Sequence, residues 1–305
     1  MVTVGVRVPY ELQHDVVQLQ DFVARVEDAG LDRVCLGDHV TFKGGQGFDG
    51  LQNATAVAVL SRRIVVETAV YLLPLRHPVP VARQVASLAA FAPGRFVFGV
   101  GLGGDDPAEL LACGVDPATR GRRMDESLAI VRQLLAGEAV NAEGRFFPLN
   151  SVRIVPAPAK PVPVLVGGRS TAALRRTAQH GDGWLGLWVS PRRYADACAE
   201  VAREAESAGR VVTRWAHGMH VWCGFDDDRS RAGERLAQEM ESLYQVPFEK
   251  FARYSPYGNP RDVADALRPY AEVGCRSFNL IATASSPEQV VEGARTVRAL
   301  LRGET

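Results

Sequence analysis

The sequence predicts a (β/α)8 TIM barrel carrying two insertions. Three observations predict it. Strand-like and helix-like segments alternate nearly from end to end, which calls for parallel strands joined by helical crossovers. The strand–helix units number eight, the count that closes a barrel. The chain is 305 residues long, room for a barrel of about 250 residues plus insertions. A doubly wound open sheet would alternate too, but eight units favour closure.

The first strand is TVGVRV (3–8). A helix over 14–29 follows, with Val16, Leu19, Val23 and Val26 on one stripe and a stop at Gly30. DRVCLGDH (32–39) is a short buried strand, then come the Gly-rich loop KGGQGFDG and a helix over 52–61. RIVVETAVYL (63–72) is rich in β-branched residues and reads as the third strand. A proline-led helix over 78–92 places Val81, Val85, Leu88 and Ala89 on one face. RFVFGVG (95–101) is the fourth strand. The helix over 119–136 spaces Met124, Leu128, Val131 and Leu135 by three or four.

VPVLVGG (162–168), DGWLGLW (182–188) and RWAHGMHVWCGF (214–225) are three more strands, with helices near 170–180, 191–208 and 229–243. The last unit is RSFNLIA (276–282) and a helix opened by Ser286, Pro287 and Gln289, the pattern of a capping box. Residues 138–161 read as an inserted hairpin with a Pro-rich connector, and 244–259 as an irregular aromatic insertion. No linker divides the chain, so residues 1–305 are expected to form one domain.

Composition excludes several classes. Lys+Arg and Asp+Glu both number 35, so nothing points to a nucleic-acid groove or an anionic membrane surface. The five cysteines are scattered and never form C-x-x-C, the usage of a reduced cytoplasmic protein without disulfides or a structural metal. No signal pattern opens the chain and no apolar run is long enough to span a membrane. His217 and His220 fall on opposite faces of one strand, poor geometry for a shared metal. No G-x-S-x-G elbow or Walker A motif is present.

Gly99, Gly101 and Gly104 spell G-x-G-x-x-G behind an apolar run, the dinucleotide fingerprint in letters. The context rejects it. Three βα units precede the motif, and the acid about 20 residues on, Asp125, lies inside the helical RGRRMDESLAIVRQLL. The following DDP would set two carboxylates beside a pyrophosphate. In a barrel these glycines end the fourth strand at its C-terminal rim, where a missing Cβ lets a flat ring or a substrate approach. Packing inside the barrel is the competing explanation.

LPLRHPVPVARQVASLAAFAPGRFVFGVGLGG, RGRRMDESLAIVRQLLAGE, EGRFFPL and PVPVLVGGRSTAALRRTAQHGDGWL, in that order and spacing, resemble the bacterial luciferase-like superfamily. The resemblance is close over about residues 1–210 and holds in outline beyond. Within the superfamily the chain looks most like the actinobacterial branch that uses the deazaflavin coenzyme F420, with FMN as the alternative. The resemblance implies a flavin-type cofactor at the C-terminal mouth, a small-molecule substrate, and homodimers packed through the early helices.

The resemblance also assigns residues. His39 would be the catalytic base or proton donor beside the ring, as a strand-end imidazole can be, with Asp38 reacting or orienting it. Val70–Tyr71 falls where relatives carry a non-prolyl cis peptide and a bulge behind the ring. Gly101 and Gly103 would admit the cofactor closely. Gly167, Gly168, Arg169 and Ser170 would hold its phosphate, a reading that free N–H groups at a helix start and the Arg169 charge support independently. Trp184 matches a position near the cofactor mouth. Of Arg76 and His77, which precede the proline-led helix, His77 reads as structural. Asp105 and Asp106 stand one or two positions past the acid of relatives, whose place Gly104 takes.

The implied activity is hydride transfer between F420 and an unidentified small organic substrate. One alternative is an FMN-dependent monooxygenase supplied by a separate reductase, and a second is a flavin-binding barrel without turnover. Substrate determinants are expected in 41–50 and 244–259.

Overall fold

The computed structural model describes residues 1–43, 45–103 and 106–304. β1 (Thr3–Arg7), β2 (Arg33–Leu36), β3 (Val65–Leu72) and β4 (Phe96–Gly101) are separated by α1 (Val16–Asp28), α2 (Gly50–Leu60) and α3 (Pro78–Phe91). After β4 come α4 (Pro107–Ala112), α5 (Arg120–Leu135) and a hairpin of β5 (Val140–Ala142) and β6 (Leu149–Val152). β7 (Val164–Gly167), α6 (Thr171–His180), β8 (Gly183–Leu187), α7 (Pro191–Ser207) and β9 (Gly218–Phe225) resume the alternation. α8 (Arg229–Tyr244), α9 (Glu249–Ala252), β10 (Tyr257–Gly258) and α10 (Pro260–Glu272) lead to β11 (Ser277–Thr283) and α11 (Pro287–Arg302).

The strands pair in the order β10-β9-β11-β1-β2-β3-β4-β7-β8, and β8 also pairs with β9. That last pairing closes eight parallel strands into the (β/α)8 barrel that the alternation predicts. All eight residues of β9 are buried, as a strand lying between barrel interior and helix ring must be. Loop polar groups set the helix starts. Asp15 accepts the N–H groups of Val17 and Gln18 at the head of α1. Ser286 accepts Gln289 N–H at the head of α11. The reciprocal capping box sits at α10 instead, between Asn259 and Asp262.

The expected insertion at 138–161 is the antiparallel hairpin β5–β6. The one expected at 244–259 is less irregular than its sequence suggested. It contains α9 and β10, and β10 pairs with the upper end of β9, Tyr257 opposite Gly224, above the residues that meet β8. One helix assignment changes. The helix expected near 229–243 is present as α8, but it packs on β9, β10 and β11 and lines the mouth of the barrel. The outer ring is completed by α10, which packs between α7 and α11. Periodicity identifies an apolar face without saying what it will meet, so α8 reads like any ring helix.

Candidate active site

The C-terminal strand ends open onto a cavity of about 870 Å³. Its back wall is built by β3 and β4, whose register shifts between Thr68 and Tyr71. A non-prolyl cis peptide lies at Ala69–Val70, one bond before the expected Val70–Tyr71. Val70 projects into the space that side chains of neighbouring strands would need. A Cβ at Gly101 would meet Val70 Cγ2 at 2.4 Å, and one at Gly167 would meet Val70 Cγ1 at 2.9 Å. A Cβ at Gly99 would strike the Thr68 carbonyl at 2.0 Å. These glycines therefore answer first to the bulged strand beside them. Gly101 and Gly103 also line the cavity, and Gly103 has φ +64°, a region that favours glycine. Tyr71 is buried beneath the wall, with the Arg76 guanidinium 4.4 Å from its ring centroid. Gly104 and Asp105 lie outside the described residues.

His39 stands on the cavity wall and stacks on Phe42, ring centroids 4.2 Å apart. Its Nδ1 lies 3.1 Å from Oε2 of Glu109 on α4. Glu109 is buried, and its Oε1 also accepts the N–H groups of Val40 at 2.6 Å and Thr41 at 3.2 Å. Burial works against the charge, yet the His39 contact and these N–H donors hold the carboxyl below its ordinary value. An ionised carboxylate only accepts hydrogen bonds, which assigns a proton to His39 Nδ1 and leaves Nε2 without a protein partner among the described residues. Asp106 caps α4 through Ala108 N–H and accepts Lys43 N–H at 2.8 Å. Asp106 at the cap of α4 and Glu109 within it thus pin the loop that presents His39.

Asp38 lines the cavity at the same strand end, but its oxygens are committed. They accept both Nη groups of Arg76 at 2.5 and 2.9 Å, and the N–H groups of Gly50 and Leu72 at 2.9 Å each. This bidentate pair, extended by Asp49 at 3.2 Å, ties the end of β2 to β3 and α2. Asp38 is a brace for the strand end that carries His39. His77 N-caps α3 by accepting Val79 N–H at 3.3 Å.

Across the mouth, Gly167, Gly168 and Ser170 line the cavity where β7 passes into α6. Ser170 caps the helix by accepting Ala173 N–H at 3.2 Å. No protein acceptor engages the N–H groups of Thr171 and Ala172 among the described residues. Arg169 is exposed and sits over Trp188, 5.6 Å from the ring centroid, away from the cavity lining. Trp184 is buried behind the loop, and its Nε1 donates to the Gly168 carbonyl at 2.7 Å. It positions the loop without lining the cavity. His217, next to it, accepts Trp184 N–H at 2.9 Å. Sequence reasoning missed Glu109 and the bracing role of Arg76. Their only signals were a carboxylate in a short helix and an arginine before a proline, which also describe solvated residues.

The luciferase-like monooxygenase family model matches residues 2–302. An F420-dependent glucose-6-phosphate dehydrogenase of Nakamurella multipartita is 28% identical over 286 residues, covering 85% of this chain and 84% of that protein. An F420-dependent secondary alcohol dehydrogenase, solved with an F420–acetone adduct, superposes with a TM-score of 0.81 at 20% identity over 97% of this chain and 99% of that one. The FMN-bound oxygenating constituent of 3,6-diketocamphane monooxygenase from Pseudomonas putida superposes with a TM-score of 0.77 at 14% identity, covering 100% and 98%. Those two likenesses speak for the fold.

Proposed function

The chain belongs to the luciferase-like monooxygenase family, and on that premise we propose that it is an F420-dependent oxidoreductase acting on a small organic alcohol or carbonyl compound. One observation carries the proposal: a cavity-facing imidazole whose Nδ1 is engaged by a buried carboxylate and whose Nε2 meets no protein partner among the described residues. The residues fit a flavin-type group. The cavity falls in the range of about 300–1,000 Å³ usual for cofactor sites. Val70 and the glycines beside it offer a smooth apolar wall, and the uncommitted N–H groups at the head of α6 suit a phosphate. The F420 relative, aligned over most of both chains, favours the deazaflavin over FMN.

A deazaflavin bound there supplies a carbon that accepts or gives a hydride. The chain's own residues do the rest. For an alcohol substrate, His39 Nε2 would take the hydroxyl proton while the bound deazaflavin would supply the hydride-accepting carbon, so that the alcohol would become a carbonyl. In the reverse direction the imidazolium returns the proton to oxygen. Glu109 stabilises the imidazolium and fixes the ring, and Asp38 with Arg76 holds the strand end. Ser170 and the α6 amides would hold the phosphate, with Trp184 bracing Gly168.

Titration of the purified protein with F420 and with FMN, followed by anaerobic and aerobic stopped-flow, tests this. Tight F420 binding with oxygen-independent turnover is expected. Oxygen-coupled oxidation of reduced FMN would assign the chain to the monooxygenases, and binding with no turnover across a substrate panel would leave a ligand-binding barrel.

A further inference from the structure

Among the described residues, the Arg7 guanidinium lines the cavity without an ion pair. Arg7 ends β1 and makes no side-chain hydrogen bond among those residues. The buried acids of this region are occupied: Asp38 by Arg76, Glu109 by His39 and backbone amides, Glu67 by Arg33 at 2.6 Å and Asn279 at 2.6 Å. Glu11 and Glu239 also line the cavity, and neither lies within ion-pair distance of Arg7. A half-buried guanidinium without a protein partner loses part of its solvation with no compensating contact among the described residues.

Its position ties it to the chemistry. A Cβ at Gly37 would sit 3.4 Å from Arg7 Nη2, so the guanidinium lies over the residue that precedes Asp38 and His39. In the ring of eight, β1 lies four strands from β7 in either direction. Arg7 therefore faces the α6 loop from the opposite side of the mouth.

A second observation points to the same place. His220, on β9 and separated from β1 only by β11, lines the cavity and is 9% exposed. Its Nδ1 is buried without a hydrogen-bond partner, and no protein group bonds its other nitrogen among the described residues. Burial, with Arg7 contributing second, pushes the imidazole down to about 3, so it stays neutral and adds a polar group without adding charge.

We infer that the substrate carries a carboxylate, bound by Arg7 with His220 beside it, and is a short hydroxy acid or oxo acid. Arg7 lies over Gly37 and His39 follows two residues later, both lining the same cavity. A carboxylate held at Arg7 would keep a nearby carbinol on the His39 side of the mouth. The inference rests on the reading of His39 as the proton-transfer group, while the binding site stands apart from cofactor identity.

Calorimetric titration of parent, Arg7→Met and Arg7→Lys proteins, each with and without F420, tests it. The probes are lactate, 3-hydroxybutyrate, inorganic phosphate and propan-2-ol. At least one carboxylate should bind the parent, weaken tenfold or more in Arg7→Met and recover partly in Arg7→Lys, with propan-2-ol insensitive to both changes. F420 affinity should differ by less than twofold between parent and Arg7→Met, and equal melting temperatures check the fold. Equal carboxylate binding by Arg7→Met, or no carboxylate binding in any state, overturns the inference. Arg7-dependent binding of phosphate alone assigns a phosphate and overturns the carboxylate class. A tenfold loss of F420 affinity in Arg7→Met gives the guanidinium to the cofactor and overturns it too. Carboxylate binding without F420 binding would sink the cofactor proposal and leave this one standing.

Discussion

Gly101→Ala separates two reasons for a glycine at the rim of β4. The added Cβ would lie 2.4 Å from Val70 Cγ2 and 3.2 Å from Val70 Cβ. Val70 is fixed by the bulged strand, so it cannot swing clear as an exposed side chain would. Overpacking of one methyl against a fixed neighbour costs about 1–3 kcal/mol. For a chain of this size that lowers Tm by about 2–5 °C. Val70→Ala removes the clashing Cγ2, so the double variant Gly101→Ala/Val70→Ala should recover most of the loss relative to Val70→Ala alone. Calorimetry of the four proteins gives the coupling, and F420 titration of the same four reads the cofactor site. If Gly101→Ala melts with the parent, or Val70→Ala gives no rescue, the packing explanation fails. If the double variant is stable but no longer binds F420, the glycine serves the ring as well.

Four further outcomes follow from the geometry. Glu109→Gln should speed amide exchange at Val40 and Thr41, since hydrogen bonds to a charged acceptor contribute about 1.5–3 kcal/mol, and the ¹⁵N signals of the His39 ring should leave the Nδ1–H tautomer; unchanged signals would remove Glu109 as its partner. The Glu109 carboxyl lies below its unfolded value, so its stabilisation is present above the ordinary carboxylate range and is lost as pH falls through the depressed folded value. Melts of parent and Glu109→Gln should therefore converge in acid, and a constant gap down to pH 3 would refute this. Arg76→Met leaves Asp38 buried and unpaired, a loss of about 3–5 kcal/mol, read as a lower urea midpoint; a midpoint equal to the parent's would show that the pair does not brace the strand end. Trp184→Phe removes the bond to the Gly168 carbonyl, and about 1 kcal/mol translates to about fivefold weaker cofactor binding; equal affinity would detach Trp184 from the loop.

The barrel was legible because its signal is repeated. Each unit carries a β-branched strand and an amphipathic helix, and eight repetitions outweigh local ambiguity. The distinction between α8 and α10 was not, since both show an apolar stripe and only the tertiary arrangement says which one faces a neighbouring ring helix. His39 was legible as a polar residue at a strand end, and Gly167–Ser170 as a strand-to-helix turn. Asp38 was legible as a strand-end acid beside His39, but its partners come from β3, α2 and the segment before α3, up to 38 residues away. Glu109 is 70 residues from His39 and belongs to a helix of six residues, too short to carry a pattern. Nothing in TVGVRV singles out Arg7 as a site residue. Only the closed ring turns it inward.

The attachment of α8 and β10 has a practical consequence for anyone wishing to redesign the pocket. β10 adds to the free upper end of β9, and α8 rests on β9 and β11, so none of the ladder contacts that close the cylinder passes through residues 226–259. That span is a detachable roof. Grafting the corresponding span from another family member would reshape the ceiling above the substrate while leaving His39, Arg7 and the α6 loop on their original foundations.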